Sequence, residues 1–423
     1  MIDLKYLLQN PEKITENNAN RGKNLDVARI QALAGERSEV MQSLEGLRAD
    51  MNANAEKMKT ADASVREGFI LDGQKLKQDA KLLEERLRTI EEELEKTLRS
   101  FPNILRSDVK IGKDEKDNEV LRLVGTPPVF DFLVKDHVTL GEDLDMIDIE
   151  RAGKVSGSRF VYLKGDLVLM EFALLQYAFS VLVPEGFTPV IPPHIISTAA
   201  MSAMGYLDHG GEEEIYHLRH DESVLIGTSE QAIGPMHMDE VLKEETLPLR
   251  YMGFSPCYRR EAGSHGKDVR GILRVHQFDK IEMFSFATPE KSDAEHEVIL
   301  AMQEKLMQGL GLPYRVLRLC SGDIGAPSAR TYDIETWMPG QNQYRETNST
   351  SNTTDFQTRR LKIRYKRIED GKNELAHALN GTAFAIGRIL IAILENNQQA
   401  DGSVVVPAVL RPWIGKDKLV KRT

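Results

Sequence analysis

A chain of 423 residues with 41% hydrophobic and 28% charged residues exceeds one comfortable core and is ordinary globular material, which excludes a disordered or fibrous protein and implies two domains. With 55 basic against 65 acidic side chains the formal net charge is −10, which argues against a protein coated by nucleic acid while leaving room for a local cationic patch. Two cysteines, Cys257 and Cys320, are too few for a disulfide framework or a four-ligand thiolate zinc site, so no zinc is expected, and no apolar run approaches the about 18 residues that would suggest a membrane span.

In the first hundred residues apolar side chains recur at Leu33, Val40, Leu44, Leu47, Met51 and Met58, then at Leu76, Ala80, Leu83, Leu87, Ile90 and Leu94. Steps of three and four, or their sum, mark the seam of a coiled coil. The seam breaks at Thr60-Ala61-Asp62-Ala63-Ser64, where Ser64 can cap a second helix, and Pro102 ends that helix. The pattern predicts an antiparallel helical hairpin with arms of about thirty-five residues, reaching on the order of 50 Å. Cations gather at Lys57, Lys59 and Arg66 near its tip, and at Lys75, Lys77, Lys81, Arg86 and Arg88. Taken alone, such a hairpin is a dimerisation element or a spacer, and its charges are solvated helix faces. Residues 108–127 are polar and turn-forming and read as a linker, giving a first domain over 1–107 and a second over 128–423.

Asp166 to Val183 is apolar with helical spacing and leads into Gly186-Phe187-Thr188-Pro189-Val190-Ile191-Pro192-Pro193, a short strand ending in proline. Next, Thr228-Ser229-Glu230 offers two hydroxyls and a carboxylate, enough to satisfy both ends of a small polar amino acid. The same residues could instead cap the helix that carries Glu230.

The run from Tyr258 to Glu282 is the most informative. Strand alternation would place Arg259 and Glu261 on one face, and Arg274, Phe278 and Glu282 on another, across a loop carrying Gly263, Gly266 and Gly271. Guanidinium forks suit phosphate oxygens, a flat Phe278 ring suits a purine, and the Glu282 carboxylate suits an ammonium group. Tyr332 to Trp337 alternates as a strand of the same sheet. The stretch Arg345-Glu346-Thr347-Asn348-Ser349-Thr350-Ser351-Asn352 offers Glu346 and Ser349 as hard oxygen ligands for a magnesium ion. Asn380-Gly381-Thr382-Ala383-Phe384-Ala385-Ile386-Gly387-Arg388 then brings small residues and one cation to the start of an apolar helix.

In this order the segments resemble motif 1, the amino-acid-contacting segment, motif 2, the second nucleotide strand and motif 3 of the class II aminoacyl-tRNA synthetases, and specifically of the seryl-tRNA synthetases. Departures are Ala383 where the family has glycine, and Asn348 and Thr350 where small or thiol residues are frequent. The signatures of class I synthetases, a Walker loop and a dinucleotide-binding GxGxxG turn are absent. The resemblance implies an α+β protein: an N-terminal coiled-coil hairpin plus a catalytic domain built on a mixed, mostly antiparallel β-sheet flanked by helices. It implies ATP, Mg2+ and L-serine as ligands and a homodimer formed through motif 1. The hairpin would grip tRNA(Ser), and tRNA(Sec) is an additional candidate. Serine contacts would come from Thr228, Ser229, Glu230, Arg259, Glu282 and Thr382. ATP contacts would come from Arg259, Arg260, Glu261, Arg274, Val275, Phe278, Glu346, Thr347, Asn348, Ser349 and Arg388. Adenine would stack between Phe278 and Arg388, and Arg259 and Arg388 would stabilise the reacting phosphates. With no apolar leader over Met1 to Leu8, the expected place is the cytoplasm. Two rival readings are a paralogue that loads a carrier protein or serves as a regulator, and a coiled-coil scaffold with a degenerate nucleotide domain. The hairpin speaks against the first, and Arg259, Glu261, Glu282 and Arg388 against the second.

Overall fold

The computed structural model describes residues 1–208, 210–262 and 270–421, so Gly263 and Gly266 lie outside the described residues. The chain divides into two compact units, one of Ile2–Ala19 with Lys23–Pro102, the other of Asn103–Thr423 with Met1 and Asn20–Gly22.

In the first unit, α1 (Leu4–Gln9) is capped by Asp3, whose carboxylate accepts from the Tyr6 N–H, and is followed by α2 (Pro11–Asn20). The hairpin is α3 (Val27–Thr60), capped by Asp26, and α4 (Ala63–Arg99). Leu33, Val40 and Leu44 of α3 and Ala80, Ile90 and Leu94 of α4 are buried, as a seam requires. The antiparallel register is marked by Arg37 to Glu91 at 2.9 Å and Arg48 to Glu84 at 3.0 Å. These pairs are exposed, so they set alignment more than stability. At the tip the turn is only Ala61 and Asp62, with Asp62 already extended (φ −66°, ψ 155°) in the capping position. Ser64 therefore falls inside the first turn of α4 and does not cap it.

The second unit is built on one eight-stranded sheet. Its strands are β1 (Glu119–Val124), β2 (Thr188–Val190), β3 (Leu249–Tyr258), β4 (Gln277–Ala287), β5 (Tyr314–Arg318), β6 (Arg330–Met338), β7 (Gln343–Thr354) and β8 (His377–Ala385). They lie in the order β1-β5-β6-β7-β8-β4-β3-β2, antiparallel throughout except for β2 beside β3. The stretch 108–127 is not a linker but contains β1, the sheet's edge strand, in antiparallel register with β5. As an edge strand, β1 is half exposed, has no buried residue and lacks the apolar alternation that reveals a core strand. The helices that matter for the site are α5 (His137–Asp143), α6 (Asp166–Leu182), α7 (Glu230–Ile233), α8 (Ser292–Leu310) and α9 (Ile386–Asn396).

Strand β4 explains how the sheet divides its labour. Ile281, Met283 and Ala287 share one hydrophobic core with Leu174 and Ala178 of α6, Ile299 and Leu306 of α8, and Ile389, Leu390 and Ile393 of α9. The alternate residues Phe278, Lys280 and Glu282 point to the other face, where Phe284 and Phe286 of the same strand join a second buried cluster.

Two β-bulges then adjust which residues share that face. Ile334 pairs with Asn348 but Glu335 pairs with Glu346, leaving Thr347 as an extra residue in β7. Glu346 and Ser349, three apart and normally on opposite faces, thereby line the same cavity. In β8, Thr382 pairs with Glu282 while Phe384 pairs with Ile281, so Ala383 is the extra residue.

Candidate active site

On the face opposite the helical core the sheet holds a cavity of about 590 Å³. Thr228 and Glu230 lie at the start of α7, Arg259 and Glu261 follow β3, Lys280 and Glu282 are on β4, Glu346 and Ser349 on β7, and Thr382 on β8; all line it. A narrower recess of about 60 Å³ shares Arg259, Arg274 and Glu346 with it and is closed by Val275, Phe278, Thr347, Gly387 and Arg388.

One end of the cavity is built from polar groups of amino-acid size. Glu282 is only 2% exposed, and its Oε2 accepts from Thr382 Oγ1 at 2.9 Å and faces Lys280 Nζ at 2.8 Å. A lone buried carboxylate would be costly, and these two donors offset that cost. Beside it, Glu230 Oε1 accepts from Asn380 Nδ2 at 3.0 Å, and the Tyr206 hydroxyl also hydrogen-bonds Glu230. Burial, and then the Glu282 carboxylate, push the Glu230 carboxyl up to about 7. The pair thus offers two carboxyl groups side by side: Glu282 in contact with Lys280, and Glu230 with its carboxyl pushed up to about 7. Thr228 Oγ1 accepts the Glu230 N–H at 3.3 Å, which fixes the start of α7 as a cap does while leaving Thr228 on the cavity wall.

The other end is cationic and flat. The Arg259 guanidinium carbon sits 5.3 Å from the Phe278 ring centre, and Arg259 Nε donates to the Gly227 carbonyl at 3.2 Å. Across the recess, Arg388 Nη1 donates to the Glu346 carbonyl at 2.9 Å and lies 3.2 Å from Glu346 Oε2. The surrounding protein partly desolvates the Glu346 carboxylate, although its side chain is 48% exposed, but Arg388 first, then Arg259 and Lys280, outweigh that and hold the carboxyl below its usual value. Arg274 pairs with Glu261 at 3.5 Å, and Glu261 is held in the left-handed region (φ 50°). Regular strand ends at Tyr258 and resumes at Gln277, so Arg259, Glu261 and Arg274 reach the cavity from irregular chain and not by strand alternation.

Among the described residues, no three His, Cys, Asp or Glu side chains gather where they could hold a metal ion. Glu346 and Ser349 could hold a magnesium ion, because a carboxylate and a hydroxyl share one face of the cavity, and hard oxygens suit that ion. Asp333, cross-strand from Ser349, adds a buried Oδ1 that lacks a hydrogen-bond partner, and burial followed by the Glu346 charge pushes its carboxyl well up.

Three residues expected at the site are not brought to the wall. Ser229 is fully buried, its Oγ donating to the Gly253 carbonyl at 3.3 Å. Asn348 is fully buried and its Nδ2 donates to the carbonyls of Thr382 and Ala383 at 3.1 and 2.7 Å, satisfying the backbone at the β8 bulge. Arg260 is exposed, with its backbone N–H given to the Glu214 carbonyl at 2.9 Å. Lys280, Tyr206 and Asn380 also line the cavity, beyond the residues the sequence points to. Period-two alternation through Phe278, Lys280 and Glu282 carried the signal for Lys280, whereas nothing local marks Tyr206, which arrives from a distant loop.

Residues 215–397 match the model of the tRNA synthetase class II core domain (G, H, P, S and T), and residues 1–105 match that of the seryl-tRNA synthetase N-terminal domain. A serine--tRNA ligase of Treponema denticola is 42% identical, covering 99% of this chain and 100% of its own length. One of Clavibacter michiganensis is 45% identical, covering 98% and 97%. The solved seryl-tRNA synthetase of Pyrococcus horikoshii, complexed with ATP, superimposes with a TM-score of 0.93 at 37% identity over the whole of both chains. With both ends of the chain matched and identity above 40% along its full length, this protein belongs to the seryl-tRNA synthetases, a family of class II aminoacyl-tRNA synthetases.

Proposed function

We propose that the protein activates L-serine with ATP and transfers the seryl group to the 3′ end of tRNA(Ser). The observation that carries this reading is the Glu282–Thr382–Lys280 cluster in the same cavity as Arg259, Glu346 and Arg388: an amino-acid-sized polar end beside a phosphate-sized cationic end. Glu282 and Thr228 hold the serine ammonium, and Thr382 with Glu230 or Glu282 meets the side-chain hydroxyl. Alanine would leave these buried groups unpaired, a basis for rejection by as much as roughly 10⁴-fold.

Phe278 and Arg388 hold the adenine, and Arg259 directs the serine carboxylate and the α-phosphate at each other. A carboxylate oxygen bonds to the α-phosphorus as the bond to the pyrophosphate oxygen breaks, giving seryl-adenylate and pyrophosphate. Alignment and fixed cations supply the catalysis, and no side chain becomes covalent. Glu346 and Ser349 would hold Mg2+, which supplies charge neutralisation on the phosphates when bound. A terminal ribose hydroxyl then attacks the acyl carbon, losing its proton as AMP leaves.

Residues 1–107 form the tRNA-binding part and residues from 128 onward the catalytic part, with β1 of the intervening stretch belonging to the catalytic sheet. The homodimer is formed through α6 and β2, a reading supported by exposed Leu169 (45%), Phe172 (55%) and Ile191 (81%) on and just after those elements. The place of action is the cytoplasm, where these substrates are found; no helix among the described residues is long and apolar enough to cross a membrane. Charging of bulk tRNA with labelled serine, beside alanine, threonine and glycine, tests the reading. Serine-only charging supports it, and no charging by folded protein refutes it. tRNA(Sec) in the same assay decides whether that RNA is also a substrate, and light scattering decides the dimer.

A further inference from the structure

The wall of the nucleotide recess formed by Ile272, Leu273, Arg274 and Val275 is irregular chain, yet its position decides where Arg274 stands. Two buried side chains far from it in sequence hold it. Glu395, wholly buried in the last turn of α9, accepts at Oε1 from the His137 N–H at 3.0 Å and meets His137 Nδ1 at 3.1 Å, while its Oε2 accepts from the Gly340 N–H at 2.9 Å. On the opposite edge of the same ring, His137 Nε2 accepts the Ile272 N–H at 3.3 Å.

A backbone N–H only donates, so Nε2 must be the unprotonated nitrogen and Nδ1–H must donate to Glu395. The ring is 4% exposed, and the chain fits it closely: Gly271 adopts φ +91°, and a Cβ there would lie 2.1 Å from His137 Nε2. From the far side, a Cβ on Gly387 would come within 3.1 Å of the Ile272 carbonyl oxygen. Helix α9 therefore touches this segment at its first turn through Gly387, beside Arg388, and governs it from its last turn through Glu395 and His137.

We propose that His137 is a positioning residue for nucleotide binding, a latch that fixes the Ile272–Val275 wall relative to Arg388. The proposal rests on reading the recess as the ATP site. His137→Asn can still donate to Glu395 but cannot reach Ile272, whereas His137→Gln carries an acceptor near the former Nε2 position. In serine-dependent pyrophosphate exchange, His137→Asn raises the KM for ATP about fivefold to tenfold, the effect of one buried hydrogen bond, with the KM for serine within about twofold of wild type, and His137→Gln restores most of the loss. An unchanged KM for ATP in folded His137→Asn protein, or equal KM defects in both variants, overturns the proposal. Should the variants not fold, the nitrogen NMR shifts of His137 in the wild-type chain decide: a proton on Nε2 at neutral pH refutes the latch. Wild-type protein that performs no exchange would refute the function and leave the NMR test of the latch standing.

Discussion

Replacing Glu282 with Gln removes one charge from the amino-acid end and leaves its shape. Glu282 is 2% exposed, so neither water nor salt discounts its interaction with a bound ammonium group. A hydrogen bond to a charged group contributes about 1.5 to 3 kcal/mol, and about 1.4 kcal/mol is tenfold, so the KM for serine rises about tenfold to 150-fold. The amide oxygen can still accept from Thr382 Oγ1 and Lys280 Nζ, now at 2.9 and 2.8 Å from the carboxylate, and Glu230 remains as a counter-charge that Lys280 already feels. The fold therefore persists and the KM for ATP stays within about twofold. Pyrophosphate exchange measured against serine at saturating ATP, and against ATP at saturating serine, separates the two. An equal rise in both constants would refute the assignment of Glu282 to the amino acid.

Phe278→Ala should raise the KM for ATP by the equivalent of about 1 to 3 kcal/mol of lost stacking and leave the KM for serine unchanged, read in the same exchange assay. Glu230 carries one part of the pH dependence, beside Glu171, which burial pushes up to about 8, and Asp333, which burial also pushes well up: the Glu230 carboxyl, ordinarily near 4.5, stands at about 7 in the folded chain, so between these values the folded state holds the proton that the unfolded state has lost. Its contribution to stability is complete below pH about 4.5 and is lost as pH rises to 7, by up to about 3 kcal/mol. Glu230→Gln should accordingly lessen the fall of the melting temperature between these limits and raise it at pH 8; an undiminished wild-type slope in the variant counts against the buried acid. Asn348→Ala, which takes the side-chain donor from the Ala383 carbonyl while the Thr382 carbonyl keeps Gln303 Nε2 at 2.9 Å, should cost about 1 to 3 kcal/mol in chemical denaturation with no change in the KM for ATP at low temperature. Deleting 26–99 should abolish transfer to tRNA and spare the exchange reaction; loss of both would mean that the catalytic part does not stand alone.

Much of this protein is legible from local pattern. The hairpin follows from apolar steps of three and four, because helices that share a seam must repeat with it. Motif 2 is readable because Arg259, Glu261, Phe278 and Glu282 carry chemistry that a plain hairpin does not need, and Arg388 stands out for the same reason. Period two, followed one step further, also contained Lys280. What the local pattern could not decide is which neighbours share a face. Glu346 and Ser349 meet only because Thr347 bulges out of β7, and Asn348, between them, turns inward to satisfy the backbone of a different strand. The Ser229 hydroxyl suits a small polar ligand, yet the packing of α7 on β3 aims it at the Gly253 carbonyl. Strand β1 hid in a polar stretch because an edge strand takes its stability from a backbone partner, β5, nearly two hundred residues away. Residue type sets what a side chain can do and period sets its face within one element, but bulges, edge pairing and the demand that every buried carbonyl find a donor are met between elements, and only the tertiary structure brings those together.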